Sequence, residues 1–562
     1  MYTLRGPSVA VTDITLLTAM RILLITGFVV ALLPALACGS QAAQGPVPTQ
    51  SQGKEEQPQY GGTLVWGGVT PPSGNNMDFI VSSSSGGTKA AAPVYEALVS
   101  EDIFDPNYQS ERKVRPLLAE RWEISPDNRD YTFYLRKGIK WQDGKGELTS
   151  ADVLYTYQRI IDLKAPQSDK LRGVAKMEAP DPYTVKLATK GPDADFLIGL
   201  VGGSMGIQPK HAQDAGLDLK TVAIGTGPFK VQSYDAKSKN VLVRNENYWQ
   251  QGLPYLDRAE LIWSQDKPSL LAAMIARQVD TTWRIEKSDM QTILSGAPDA
   301  QVIRAPHDFN TGAYLNIEHS VLKDPRVRQA IHLAVDRQEF LKVVGQGEGF
   351  ITCFLPGARG WCLPELAQLP GFRQPKDQDI AEAKRLLKEA GYANGFEFSL
   401  SYTDQSTVSP AIAEFFATQM APLGIKAKLD LRDRNGFAQL GQTGNYDAII
   451  NFLASPTIGT APYNYFHSKG SDNKHGMSDP EVDRLLEQQA QTLDPGERKK
   501  VWFDLERKLF EHNWSINFID PITYSVIQPW IKGPTVLNMD WSDGYAMRMA
   551  TTWFDQKLMP KR

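Results

Sequence analysis

The chain has 562 residues and a formal net charge of −4, with 42% hydrophobic and 22% charged residues. That length is more than one core normally organises, so two or more lobes are expected. The balanced charge excludes the broad basic surface that a nucleic-acid partner requires. In chain order, the first feature is the apolar run Ile22–Ala37, preceded by Arg21 and closed by Ala37-Cys38-Gly39. A basic flank, an apolar stretch and a small residue before the break make a secretory signal over residues 1–37. Met20, directly before Arg21, offers a second start inside it. No later run reaches the roughly 18 to 20 apolar residues of a membrane span.

The end of that run, PALAC, resembles a lipoprotein signal, with Ala37 at −1 and Ala35 where leucine is usual at −3. Cys38 is therefore the expected lipidation site, and each buried CH₂ of its acyl chains adds about 0.8 kcal/mol of membrane affinity. Residues 38–59, rich in Gln, Ala, Pro, Ser and Gly, form a flexible tether, because they cannot bury enough to fold.

The body opens with GGTLVWGGV, a short strand between glycines. RDYTFYLRKGIKW alternates Tyr131, Phe133 and Leu135 against Thr132, Tyr134 and Arg136, a half-buried strand. ELTSADVLYTYQRIIDL is a helix opened by a Thr149–Asp152 capping box, with Val153, Leu154, Tyr157, Ile160 and Ile161 on its apolar stripe. TGPFKVQSYDAKSKNVLVRNENYW reads as a hairpin turning near Ala236–Lys239. KDPRVRQAIHLAVDRQEFLKVV reads as one helix capped by Asp324, with Pro325 in its first turn and Val327, Ala330, Ile331, Ala334 and Val335 on one face. DIAEAKRLLKEAGY is an amphipathic helix ending at Gly391. SDPEVDRLLEQQA carries a Ser478–Glu481 capping box, and a further helix starts at Asp494-Pro495. From Pro521 the chain returns to strand and loop, with Trp530, Trp541 and Trp553. Interspersed strands and helices predict an α/β or mixed α+β fold.

Cys353 and Cys362 flank the turn-rich FLPGARGW, and export favours a disulfide between them; the alternative is two separate buried thiols. GGSMG (Gly202–Gly206) matches the G-x-S-x-G nucleophile elbow at Ser204, but Pro209 follows five residues later, where the elbow needs a helix. His467 and His475 lie eight apart without metal-ligand spacing, and no G-x-x-x-x-G-K-[ST] is present. No metal and no cofactor are expected. Among 12 Trp, 20 Tyr and 22 Phe, some are expected to wall a cleft between lobes.

Several stretches together resemble the extracellular solute-binding proteins of ABC importers, in the oligopeptide, dipeptide and nickel branch (family 5). They are LLAERWEISPDNRDYTFYLRKGIKWQDGKGELTSADVLYTYQRI, GTGPFK, RNENYW, DPRVRQAIHLAVDR, AKRLLKEAGYANGFEF, YDAIINF and MSDPEVDRLLEQQ, in the family's order over about Gly61–Ile531. The resemblance implies an α/β, two-lobed periplasmic-binding-protein-like type II fold of the large subclass. Lobe I would comprise 60–99, 196–309 and a C-terminal return over 521–562, with an extra subdomain over 100–195. Lobe II would span 310–520. The lobes would close on a solute and dock on a permease served by ATPase subunits. The protein would act as a monomer, outside the cytoplasm, held to the membrane's outer face through Cys38.

In the family's peptide binders, the YDA strand leads to a tryptophan and then to an acid for the peptide's amine. Here Asn451 and Phe452 end the strand, and no acid stands between Asp447 and Asp472. An unpaired buried amine is costly, so a plain peptide held by its amine is not expected. Arg277, where the family often has glycine, is a second departure. The expected cleft residues are Trp66, Trp283, Asn316, Asn451, Phe452, Asn464 and Tyr465. Each has an alternative role, as core for the aromatics and as turn-shaping for the asparagines. The reading is a solute receptor for a peptide-like or small polar organic molecule, not an enzyme. A chemosensory receptor on the same fold stands second and a Ser204 hydrolase third.

Overall fold

Alternation builds the first sheet. Leu64 and Trp66 of strand Thr63–Val69 turn inward and are almost fully buried. This strand pairs in parallel with Arg258–Trp263, which runs antiparallel to Lys239–Arg244, itself hairpinned to Phe229–Asp235. The hairpin turns where the sequence places it. The structure is a computed structural model. It describes residues 57–69, 76–81, 90–102, 105, 113–263, 266–282, 284–306, 309–319, 321–355, 360–403, 409–454, 459–474, 476–533 and 544–559. Cys38, Trp283, His475 and Trp541 lie outside the described residues.

A second four-stranded sheet orders Ala119–Ile124, Asp130–Leu135, Thr184–Thr189 and Val174–Asp181. Helix Ser150–Asp162 packs on it, opened by the expected capping box, in which the Thr149 N–H donates to Asp152 Oδ2 at 2.8 Å. Further along the chain, a five-stranded sheet orders Lys426–Arg432, Glu397–Thr403, Ala448–Ala454, Phe309–Leu315 and Ser515–Asn517. The cores separate accordingly. One runs from Leu64 to Trp263 and resumes at Ile303 and from Ile527 to Phe554. Another runs from Ala313 to Ile519, with a satellite around Trp502, Phe354 and Tyr314.

The first core is stitched from remote segments by Asp280, which is fully buried. Its carboxylate accepts from Val65 N (2.7 Å) and Trp530 Nε1 (3.0 Å), and its backbone bonds Val65 O and Gln528 N. Between the cores the chain passes along paired strands. Ile519–Ile527 runs antiparallel to Gln301–Pro306 and, at its start, to Gly349–Ile351. Gly312 faces Asn517 there, and a Cβ on Gly312 would lie 2.8 Å from Ile516 O, so only glycine fits.

Two expectations change. The helix expected after Asp324 breaks into Pro325–Ala334 and Arg337–Val343. Val335 is extended, and the Asp336 carboxylate accepts from Gln338 N and Glu339 N, capping a new helix in place of continuing the old one. The break lets the buried Arg337 guanidinium donate to the carbonyls of Asn517 and Gly371. At helix Pro480–Gln491 the cap is Asp479, not Ser478. The Asp479 carboxylate accepts from Glu481 N and Val482 N, which an aspartate next to Pro480 does without help from Glu481.

Beside the crossing strands, Glu348 receives Lys287 Nζ, Arg304 Nε (2.8 Å) and Tyr524 OH (2.6 Å). Burial alone would raise its carboxyl, but these three donors hold it down to about 2. A depressed carboxylate contributes stability above its unfolded value of 4.5 and loses it as pH falls toward 2. Because Arg304 is half exposed, Glu348→Gln is expected to cost about 1–2 kcal/mol at pH 7, with the gap to the parent closing below about pH 4.5; urea titrations across pH check this.

Candidate functional site

Two polar faces meet where the two cores adjoin. One belongs to the first core and carries the 3₁₀ turn Ser168–Leu171 and the turn at Asp193–Asp195. The other lies beyond strand Ala448–Ala454. It comprises Gly459, helix Thr460–Phe466, the turn that follows, and helices Pro480–Gln491 and Pro495–His512.

The bonds across are specific. Asp169 Oδ2 accepts from Asn464 Nδ2 (2.9 Å) and Ser471 Oγ (2.7 Å). The Arg172 guanidinium lies 3.8 Å over the Tyr463 ring and reaches Asn464 Oδ1 at 3.4 Å. Asp195 takes both arms of Arg498, at 2.9 and 2.7 Å, and accepts from Gly459 N at 2.8 Å. Ala194 N donates to Ala490 O at 2.8 Å. Burial pushes the nearby Asp193 carboxyl up.

Helix Pro495–His512 positions Arg498 because its buried stripe is not wholly apolar. Arg498, Trp502, Leu505, Glu506 and Leu509 share it at helical spacing. At its other charged position, the buried Glu506 carboxyl accepts from Leu363 N (2.8 Å) and Phe354 N (3.4 Å). Those two residues flank the Cys353–Cys362 disulfide, which is present. Burial pushes Glu506 up to about 8 against those donors. The two sulfurs and Glu506 lie close enough to share a metal, but the disulfide consumes both thiolates.

The residues singled out from sequence fall in different places. Asn464 stands on the shared boundary, bonded to Asp169. Tyr465, next to it, packs tilted against Tyr314 with ring centroids 5.6 Å apart, and burial raises its hydroxyl. Asn451 is half-buried and pairs with Gly312 in the ladder, with Phe452 beside it in the same strand. Trp66 is sunk in the first core at 2% exposure. Asn316 braces a turn, its Nδ2 donating to the carbonyls of Gly444 (3.1 Å) and Tyr446 (2.8 Å). Ser204 does not form an elbow. A short helix, Phe196–Gly199, precedes it where a strand is needed, and it lies in a 3₁₀ turn, its hydroxyl accepting from Lys170 Nζ at 3.0 Å.

Sequence reasoning missed Asp169, Arg172, Asp195 and Arg498. Only Arg498 left a signal, as a charge on an apolar stripe. The motifs GTGPFK and RNENYW serve packing. The buried Glu96 accepts from Thr226 Oγ1, Tyr248 OH and Trp249 Nε1, and burial pushes it up to about 7.

Residues 113–475 match the model of the bacterial extracellular solute-binding proteins, family 5. The chain belongs to this family. Its fold is the two-lobed type II periplasmic-binding-protein fold of the large subclass, with an extra subdomain on the first lobe. The glutathione-binding protein GsiB of Salmonella choleraesuis SC-B67 is 28% identical over 324 residues, covering 57% of this chain and 62% of that one. The alignment thus spans under two thirds of that relative's length. The periplasmic binding protein AgaA of A. tumefaciens R10, solved with agropinic acid, superposes with a TM-score of 0.74 at 26% identity, over 88% of this chain and 99% of that one. Haemophilus influenzae OppA, solved with the peptide RPPGFSPFR, gives 0.75 at 22% identity, over 89% and 100%.

Asn316→Ala separates a brace from a solute contact. Removing its two bonds to buried carbonyls is expected to lower stability by about 1–2 kcal/mol while leaving solute affinity within about twofold; thermal melts and calorimetric titration measure the two effects separately.

Proposed function

We propose that this chain is a solute receptor of an ABC importer, closing two lobes on a small molecule and delivering it to a permease with ATPase subunits. The observation that carries the reading is the pair of polar faces, Asp169 to Asp195 and Gly459 to Ser471, joined by side chains across a boundary that the backbone crosses on paired strands. Hinged lobes with complementary faces are what solute capture requires. The lobes are assigned as 60–99, 196–309 and 521–562 for the first, 100–195 for its extra subdomain, and 310–520 for the second. Its work is binding, not catalysis, since Ser204 lacks the elbow geometry that a hydrolase would need.

The proposed solute is peptide-like or a small polar organic molecule, not held by a free amine. Two carboxylates reach the acid-free segment after Asp447 from the first lobe, Asp169 and Asp195, and both already have partners. A buried ammonium placed there would compete with those bonds. The ligands named for relatives, glutathione, a nonapeptide and agropinic acid, are consistent with this breadth. Contacts are assigned to Asn451, Phe452, Asn464 and Tyr465 on the second lobe and to Trp283. Trp66 and Asn316 serve as supports behind the cleft. The body works outside the cytoplasm as a monomer, with Cys38 as its lipid anchor. No helix among the described residues is long and apolar enough to cross a membrane.

Thermal shift with free-amine peptides, their N-acetylated forms and non-peptide polar solutes tests the solute class. Acetylated or non-peptide solutes are expected to stabilise at least as well as free amines, by about 2.7 kcal/mol at 100 times Kd. A shift seen only with free amines would overturn the amine argument. Cys38→Ser is expected to release the protein from membranes, and retention of the variant through a salt wash would refute the anchor.

A further inference from the structure

The Asp195–Arg498 contact stands apart from the residues assigned to the solute. It rests on the two-lobed reading above and deepens it. Asp195 belongs to the first lobe, next to Phe196 of its core, and Arg498 to the second, one turn before Trp502 of its satellite core. The two residues lie 303 positions apart and both are buried. Their bidentate pair, the Gly459 N–H to Asp195 and the Ala194–Ala490 backbone bond form one dry, fully bonded contact.

Three features make this contact reversible. Arg498 has a second acceptor within its own lobe, Gln489 Oε1, at 3.1 Å from Nε and 2.9 Å from Nη2. Separation of the lobes therefore leaves the guanidinium bonded. Asp195, once released, meets water, where a carboxylate is at home. Finally, Gly459 is shaped for the closed form. Its φ of −104° is open to any residue, so backbone freedom does not explain the glycine. A Cβ there would lie 2.5 Å from Asp195 Oδ2 across the boundary and 2.8 Å from Gln489 Nε2 within its own lobe, so the absent side chain admits both groups.

We infer that Asp195, Arg498 and Gly459 form a closure clasp, which fixes how much of the solute-free receptor is closed and thereby scales affinity without choosing the solute. A receptor that is partly closed beforehand binds every solute more tightly by the same factor, because the competent state is already populated. The neighbouring Asp169–Asn464 and Asp169–Ser471 bonds seat on the same boundary and hold the register of closure.

The test reads lobe separation directly. Spin labels at Lys186→Cys on the extra subdomain and Lys500→Cys on the second lobe, in a Cys38→Ser background, report the distance distribution by pulsed electron resonance. Both positions are exposed, and Cys353 and Cys362 are bonded to each other. Without solute, the parent is expected to populate the short distance, and Asp195→Asn or Gly459→Ala to lower the closed-to-open ratio about tenfold. Because a Cβ on Gly459 also crowds Gln489 within the second lobe, thermal melts of both variants guard against a folding defect. Distance distributions unchanged in both variants would overturn the clasp. Titration with an N-acetylated tripeptide keeps the two ideas apart. If both variants weaken its binding by the same factor as the ratio, the clasp is supported. If affinity is unchanged while the distances shift, the clasp does not scale binding and the proposal fails. If the peptide and the other solutes all fail to bind while the distances shift as expected, the clasp stands and the receptor reading falls.

Discussion

A single carboxylate without solvent decides how this chain is assembled. Asp280 joins the strand at Val65 to the return at Gln528 and Trp530, segments more than 450 residues apart in the chain. A buried charge of this kind is tolerated only when its acceptors are filled, so the three segments must arrive together. The first lobe is thereby complete only with the returning strand, which follows every strand of the five-stranded sheet in the chain. The same chain path brings together the paired crossing strands, the tight approach at Gly312 and the two polar faces.

Charges inside the second lobe do similar work. Arg337 satisfies carbonyls left by a helix break, Glu506 collects two backbone N–H groups beside the disulfide, and Arg498 leans on Gln489. None is a surface ion pair, and each has donors or acceptors that survive without its longest-range partner. These bonds lie within the lobe, whereas those of Asp169 and Asp195 cross its boundary. That division between internal and shared bonds is what a hinged receptor needs.

Local signals were legible and nonlocal ones were not. The Thr149–Asp152 box, the 236–238 turn, the caps at Asp324 and Asp494 and the Cys353–Cys362 pairing all rest on residues a few positions apart, where periodicity and turn chemistry act. The helix break at Val335–Asp336 escaped because the apolar period runs on through it; Asp336 wins by capping, and Arg337 by reaching carbonyls on another element. Ser478 was preferred over Asp479 because the box pattern outweighed the simpler aspartate cap. Of the residues singled out after that strand, Asn464 lies on the boundary bonded to Asp169, and Tyr465 packs on Tyr314. For Trp66 and Asn316 the structure shows the alternative roles weighed from sequence, burial in the core and bracing of turn carbonyls. Asp169, Arg172 and Asp195 could not be found, because their meaning depends on residues nearly 300 or more positions away. The family resemblance supplied the two lobes, which composition alone had left as a count.

The disulfide has a meaning beyond its loop. Glu506 is buried against two N–H groups, from Phe354 just inside the ring closed by Cys353 and Cys362 and from Leu363 just outside it. Closing the ring restrains the Phe354 donor directly and ties the Leu363 donor to Cys362 beside it. In a reducing compartment the donors are loose, and Glu506 must enter the satellite core without an assured reception. That part of the second lobe therefore assembles more readily where thiols oxidise than where they stay reduced. A chain built this way carries a chemical preference for the compartment in which its folding is completed.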